Sequence, residues 1–150
     1  MNRSQLNKLF ESNAGLAGLI LRAPIGLILA AHGAQKLFAW FGGYGLEGTG
    51  QWMASIGMTP GYLMALLAGS AEFFGGLALV LGLVTRPAAA VAAFTMLVAI
   101  FTVHISNGLF MSNNGYEYAL TLLVALLAIV VQGAGSLSLD KLIANKLNRQ

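Results

Sequence analysis

The sequence predicts an all-α protein, a four-transmembrane-helix bundle with a short C-terminal amphipathic segment. Hydrophobic residues make up 57% of its 150 residues, charged residues make up 9%, and the mean hydropathy is +0.76. Soluble domains carry about 25% charged residues, so this composition indicates an integral membrane protein. The 19 glycines favour close helix packing in lipid.

Four apolar segments organise the chain, which we interpret as a single domain over residues 1–150. Each segment approaches or exceeds the roughly 20 residues that a helix needs to cross a bilayer. The segments are residues 14–41, 61–84, 88–106 and 117–135.

The connections between the segments predict how they pack. Thr85, Arg86 and Pro87 form a tight link, so the second and third segments are expected to be antiparallel neighbours. The glycine-rich link 42–60 is predicted to be a loop, with one interfacial turn over residues 51–56. Four apolar residues in the tail recur at helical spacing and predict an amphipathic helix lying on the membrane surface. They are Leu139, Leu142, Ile143 and Leu147.

Composition also excludes several functions. The absence of Cys excludes disulfides, thiol redox chemistry by this chain and Cys-ligated metals. The net charge of +3 comes from scattered basic residues that form no patch, so nucleic acid is not an expected partner.

The distribution of basic residues predicts the orientation. With four spans, both termini and the Thr85–Pro87 link share one side of the membrane. Lys36 alone falls near the other side, so we expect both termini in the cytoplasm. The basic residues on the shared side are Arg3, Lys8, Arg86, Lys141, Lys146 and Arg149. As an alternative, residues 1–34 read as a cleaved signal peptide, although Arg22 and Pro24 interrupt its apolar core.

Two charges inside the apolar segments are the first candidates for a functional site. Arg22 and Glu72 fall at matching depths, about 12 and 13 Å from the cytoplasmic edge at 1.5 Å per residue. Both lie on stripes of small residues, so we expect an Arg22–Glu72 ion pair facing the bundle interior. A structural pair that fixes helix register and a ligand or proton site are both open interpretations.

A second polar group is predicted near the outer face. His32 and Lys36 end the first segment, His104 and Asn107 end the third, and Glu117 opens the fourth. Each has an ordinary explanation as an interfacial or helix-terminal residue. Their convergence at one level favours a shared site. Since no two of the His and Glu residues have close ligand spacing, no metal site is expected.

The order of several motifs resembles the DoxX family of small four-helix bacterial membrane proteins. Glu72-Phe73-Phe74-Gly75-Gly76 is followed by a Leu-Gly-Leu-x-Thr-Arg turn ending at Arg86, and later by Gly-x-Gly-x-x-Ser-x-Asp ending at Asp140. Further pieces are RAPIGLILAAHGAQKL from Arg22 and GMTP from Gly57. Singly these motifs are weak, but their combination is specific, and the resemblance covers most of the chain.

The resemblance implies a multi-pass protein of the bacterial cytoplasmic (inner) membrane that is associated with quinone or thiol redox systems. The family's recurrent polar residues correspond here to Arg22, His32, Lys36, Glu72, Arg86, His104 and Glu117. We therefore predict a redox-associated subunit that binds a hydrophobic ligand such as a quinone between its helices, with the same residues except Arg86 as ligand or proton-relay candidates. A non-catalytic scaffold or assembly factor of a membrane oxidoreductase, a small proton-coupled transporter and a homo-oligomer remain alternatives.

Overall fold

The computed structural model describes residues 9–149, and in that range the chain is helical, with no β-strand. Arg3 and Lys8, which contribute to the orientation argument, lie outside the described residues. The helices pack in the order α1 against α3, α3 against α4 and α4 against α5, with α2 covering part of α3. They are α1 (Gly15–Phe38), α2 (Gly45–Ser55), α3 (Gly61–Leu81), α4 (Thr85–Ala99), α5 (Glu117–Gln132) and α6 (Leu139–Asn148).

Within the described residues, three helices are long and apolar enough to cross a membrane. They are α1, α3 and α4, which extends through a π-helical turn and a 3₁₀ turn to Asn107. The fourth predicted span corresponds to α5, an apolar helix of 16 residues. At 1.5 Å per residue α5 is about 24 Å long, short of a hydrocarbon core of about 30 Å. The all-helical membrane architecture is confirmed, and the count of four spans stays a prediction.

Close backbone contact between α1 and α3 follows from their glycines. A Cβ atom on Gly26 would lie 2.6 Å from the Gly76 carbonyl oxygen, and one on Gly76 would lie 2.5 Å from the Ala30 nitrogen. Gly33 meets the Phe73 backbone in the same way. Larger residues would separate the helices, so the small-residue stripes predicted on these two segments do form their interface.

The link between α3 and α4 is a helix-terminating turn. The Leu83 N–H donates to the Ala78 carbonyl and the Gly82 N–H to that of Leu79, with Gly82 at φ 64°. This Schellman pattern requires a left-handed residue at which glycine has no steric penalty. Consequently α3 ends at Leu81, before the predicted 84, and α4 begins at Thr85, before the predicted 88.

The link 42–60 is more regular than predicted. In place of one interfacial turn it contains the 11-residue helix α2. Gly50 of α2 lies against the backbone of Gly61 and Tyr62, which holds α2 on the first turn of α3. The tail forms the predicted amphipathic helix as α6.

The buried charges as a candidate functional site

Arg22 is completely buried and binds the backbone ends of other helices. Its Nη1 donates to the carbonyl oxygens of Leu79 at 2.7 Å and Val80 at 2.5 Å. Its Nε donates to Ala134 at 2.9 Å and its Nη2 to Leu137 at 2.8 Å. A guanidinium has five N–H donors, and four of them are used in this way. Arg22 therefore ties the end of α3 to the segment that follows α5.

The predicted Arg22–Glu72 ion pair is wrong. The Arg22 side chain is level with the last turn of α3, and the carboxylate whose charge acts on it is Asp140. Glu72 neighbours Phe73, which faces Gly33 of α1. Gly33 is eleven residues beyond Arg22 in the sequence, or about 16 Å along the helix axis. The two charges are at different heights in the bundle.

The packing register of α1 on α3 sets this separation, because Gly33 of α1 is level with Phe73, and the direction of the side chains adds to it. Each Cα–Cβ bond in a helix tilts toward that helix's N-terminus. Because α1 and α3 are antiparallel, the side chains of Arg22 and Glu72 point away from each other. The same tilt directs Lys36, near the end of α1, toward Glu72. Equal residue counts from the membrane edge miss both effects, because they assume a packing register and ignore side-chain direction.

Glu72 pairs with Lys36. The Lys36 Nζ atom lies 2.6 Å from Glu72 Oε2, and this is the only ion pair within residues 9–149. The Glu72 side chain is 5% exposed and the Lys36 side chain 24%. Gly69 lies one turn before Glu72, and its missing side chain leaves room for the Lys36 stem, whose Cβ would be 3.2 Å from a Cβ at that position. The Glu72 side chain is thus enclosed, while the Lys36 side chain is partly exposed.

His32 lies one helical turn before Lys36, on the same face of α1, and is exposed. Its ring is 6.2 Å from the ring of Tyr118, in the first turn of α5. His32, Lys36 and Glu72 therefore form one cluster, which we call the lateral cluster. It combines an imidazole, an ammonium and a buried carboxylate at the side of the bundle.

His104 and Glu117 have local partners instead. His104 closes the π-helical turn of α4, and its Nδ1 is 2.8 Å from the Asn114 carbonyl oxygen. The Glu117 carboxylate accepts a hydrogen bond of 2.6 Å from the Met111 N–H. Asn107 also donates to the Asn114 carbonyl, at 3.3 Å. The predicted outer polar group thus separates, with these three residues ordering the 107–117 connection and His32 joining the lateral cluster.

No three His, Asp or Glu side chains within residues 9–149 are grouped as metal ligands would be. His104 and Glu117 are each engaged with backbone groups of the 107–117 connection. The lateral cluster offers one imidazole and one carboxylate, and that carboxylate is already bound by an ammonium. Its chemistry suits a neutral polar ligand or a proton better than a cation.

Arg86 binds carbonyl groups at the end of α5 in the same way that Arg22 binds carbonyl groups at the end of α3. Arg22 binds the carbonyls three and two residues before Gly82, and Arg86 those of Val130 and Val131, three and two before Gly133. Both glycines have positive φ and leave room for a guanidinium. Each helix hairpin therefore ends in an arginine that binds its last carbonyls, and this role is structural. The sequence carries a signal for it, an Arg and a nearby Pro opening each hairpin.

Asp140 is a buried carboxylate that sequence reasoning missed. It is 1% exposed, and its two oxygens accept hydrogen bonds from the N–H groups of Val84 at 2.7 Å and Thr85 at 2.9 Å. It thereby caps α4 from a distant part of the chain. The available signal was its place in the Ser-x-Asp motif at the start of α6, a pattern that is also typical of an ordinary helix N-terminus.

Comparisons with known proteins agree with this architecture. The DoxX family description matches residues 17–105. "Putative oxidoreductase CatD" of Bacillus subtilis is 36% identical over 135 residues, which is 90% of either chain. "Inner membrane protein YqjF" of Escherichia coli is 34% identical over 108 residues, 68% of this chain and 77% of its own length. An uncharacterized Haemophilus influenzae protein is 40% identical over 80 residues, 51% of this chain and 60% of its own.

No solved structure matches the chain. The family match includes Arg22, the lateral cluster, the α3–α4 turn and most of α4, and the Bacillus subtilis relative covers the chain almost end to end. This chain is a membrane protein that belongs to the DoxX family.

Proposed function

We propose that this protein binds a hydrophobic redox ligand of the quinone type at the lateral cluster, as an inner-membrane subunit of a redox system. The observation that carries the proposal is the Lys36–Glu72 ion pair, with the Glu72 side chain enclosed and the Lys36 side chain partly exposed. Ionisable residues inside membrane segments are costly and usually serve a function. The partial exposure of the Lys36 side chain distinguishes this pair from a fully enclosed structural one.

The donors of the lateral cluster fit the oxygens of a quinone. An ammonium has three N–H donors, and Glu72 takes one from Lys36, so two remain for a carbonyl oxygen. His32 is exposed one turn away, and its imidazole ring provides a second hydrogen-bond donor. A bound quinone would supply two carbonyl oxygens that take up protons when electrons arrive. Since the chain has no Cys, those electrons would come from a partner protein.

Access to the cluster would be sideways, from the lipid. Beside the cluster lies an aromatic ring, because Tyr118 of α5 is exposed and packs near His32. A quinone partitions into lipid, so an opening of this kind requires no aqueous channel. The name of the Bacillus subtilis relative, "Putative oxidoreductase CatD", supports a redox role. A proton-exchange role for His104 and Glu117 stays a prediction.

The topology is part of the same proposal. The Met111 backbone binds Glu117 at the start of α5, and Arg86 at the start of α4 binds carbonyls near the end of α5. This supports a fourth span, with α5 lying antiparallel to α4 and the polar 107–117 connection at the outer face. Both termini would then be cytoplasmic, as the basic residues predict.

The test is ligand retention. Wild-type protein and the Glu72→Gln and Lys36→Met variants are purified in mild detergent, and lipid-soluble molecules are quantified by mass spectrometry. We expect wild type to retain quinone and both variants to lose most of it. Glu47→Gln, which changes an exposed carboxylate of α2, is the matched control and should retain the wild-type amount. Absence of quinone from the wild-type protein, or equal retention by all variants, would refute the proposal.

A scaffold or assembly role is the second candidate, and one observation favours it. Arg22 and Asp140 are buried charges whose hydrogen bonds go to backbone groups. Charge reversal separates the candidates, because a scaffold needs only an intact Lys36–Glu72 pair. If the protein is a scaffold, each single variant should impair assembly of the membrane oxidoreductase complex. The double variant Lys36→Glu/Glu72→Lys should then restore that assembly. A quinone site should stay inactive in the same double variant, because its donor and acceptor have changed places.

A further inference from the structure

A groove at the opposite end of the bundle has features that the quinone proposal does not use. It lies between α6 and Leu83 in the α3–α4 turn and has a volume of about 460 Å³. We call it the α6 groove. Its walls come from Leu83, Leu139, Leu142 and Ile143, and its polar edge comes from Asn145, Lys146 and Arg149.

The α6 groove has a fixed shape because α6 is anchored at its N-terminus. Asp140 accepts hydrogen bonds from Val84 and Thr85, and its own N–H donates to the Gly82 carbonyl at 2.8 Å. The Ser138 hydroxyl caps α6 by accepting from the Lys141 N–H at 3.2 Å. The helix that forms one wall is therefore held against the turn that forms the other.

The charge at the edge of the groove is positive and available. Lys146 and Arg149 are three residues apart, both exposed, and share a face of α6. Within residues 9–149 neither side chain has a hydrogen bond or an ion pair. The one carboxylate on α6 is Asp140, and both of its oxygens are occupied by backbone N–H groups. The groove thus combines an apolar wall with two cations that nothing in this part of the chain neutralises.

The exposed apolar face of α3 ends two residues before the groove wall in sequence. Phe74, Leu77 and Leu81 recur at helical spacing and are 60%, 41% and 54% exposed. Leu83, two residues after Leu81, forms the groove wall. A ligand in the groove can therefore place its apolar part toward the centre of the bundle and its anionic part toward the end of the bundle.

We propose that the α6 groove binds one anionic phospholipid, with acyl chain on the leucine wall and phosphate between Lys146 and Arg149. Basic residues beside a membrane surface attract anionic headgroups by this mechanism. The site is separate from the lateral cluster, which lies toward the other end of α3, so neither proposal depends on the other. It also gives the amphipathic tail a specific role, which is to recognise a lipid headgroup as well as to lie on a surface.

Native mass spectrometry of the full chain tests this proposal. Protein in detergent is incubated with equimolar phosphatidylglycerol and phosphatidylcholine of identical acyl chains, and bound lipid is counted. We expect one phosphatidylglycerol to be retained in preference. Each charge near a headgroup contributes a factor of about five in affinity, so Lys146→Gln and Arg149→Gln should each weaken retention about fivefold and the double variant about 25-fold.

Lys141→Gln is the matched control. It removes the same charge from the same exposed helix, but Lys141 is not part of the groove, so its effect should be below twofold. Equal losses in all three single variants would show general charge attraction and overturn the proposal. Equal retention of the two lipids, or displacement of phosphatidylglycerol by millimolar inorganic phosphate, would overturn it as well. Thermal unfolding of each variant checks that the fold is intact.

Discussion

Replacing Arg22 by Gln removes a buried cation that donates to four backbone carbonyls. Hydrogen bonds from charged donors contribute about 1.5–3 kcal/mol each, so simple addition predicts a loss of at least about 6 kcal/mol. Contributions within one network do not add, however, and removing one partner from a buried charged network costs about 3–5 kcal/mol. We expect Arg22→Gln to lower the free energy of unfolding by that smaller amount.

The assay is unfolding of the purified protein in mixed micelles by titration with SDS, followed by circular dichroism. Arg22→Lys is the matched control, because it keeps the positive charge but places all donors on one nitrogen, which cannot reach carbonyls on both sides. It should lose about 2–3 kcal/mol, since charge alone does not replace the planar fork. If the free energy of unfolding falls by less than about 0.5 kcal/mol in Arg22→Gln, or is unchanged in Arg22→Lys, the Arg22 hydrogen bonds do not stabilise the bundle as expected.

The remaining predictions concern packing, the tail and topology. Gly76→Ala should destabilise the protein by about 1–3 kcal/mol through overpacking against α1, whereas Gly75→Ala, whose Cβ would be 3.7 Å from the Ala88 carbonyl, should be neutral or stabilising. SDS unfolding measures both, and equal effects would contradict the interface. Asp140→Asn should weaken the attachment of α6, seen as faster hydrogen exchange in α6 and at Val84 and Thr85, and unchanged exchange would contradict it. The Cys-free chain permits single-cysteine labelling without background, and Ser112→Cys should react from the periplasm and Asn145→Cys from the cytoplasm. Labelling of both from one side would contradict a membrane-crossing α5.

The sequence is sufficient to predict the membrane bundle and one of its interfaces. The apolar segments and the glycine stripes express physical requirements that act locally, namely the length of a span and the volume of a side chain. Gly26 and Gly76 accordingly meet as the stripes predict. The end of α3 and the start of α4 each lie three residues before their predicted positions, because Gly82 terminates α3 before its apolar run is complete.

Partners of the buried charges could not be predicted in the same way. Pairing Arg22 with Glu72 assumed that a cation in lipid needs a carboxylate at its own depth. The exposed carbonyls at a helix C-terminus carry a partial negative charge and serve the same purpose, and a sequence does not show which helix ends are near. From the sequence we group Lys36 with the polar residues near the outer face, although Lys36 lies on the same small-residue stripe of α1 as Arg22. Once the packing register of α1 on α3 is known, side-chain tilt directs Lys36 toward Glu72, but the sequence alone does not give that register.

Photoaffinity labelling with an azido-quinone can show whether a quinone binds at the lateral cluster, because the method reports where the ligand lies. Membranes containing the protein are irradiated with the probe at a low concentration, and modified peptides are located by mass spectrometry. We expect labelling of α1 around His32 and Lys36 and of α3 around Glu72. Unlabelled quinone should compete with this labelling, and Glu72→Gln should abolish it. Labelling confined to the α6 groove, or spread evenly over the lipid-facing surface regardless of Glu72, would contradict it.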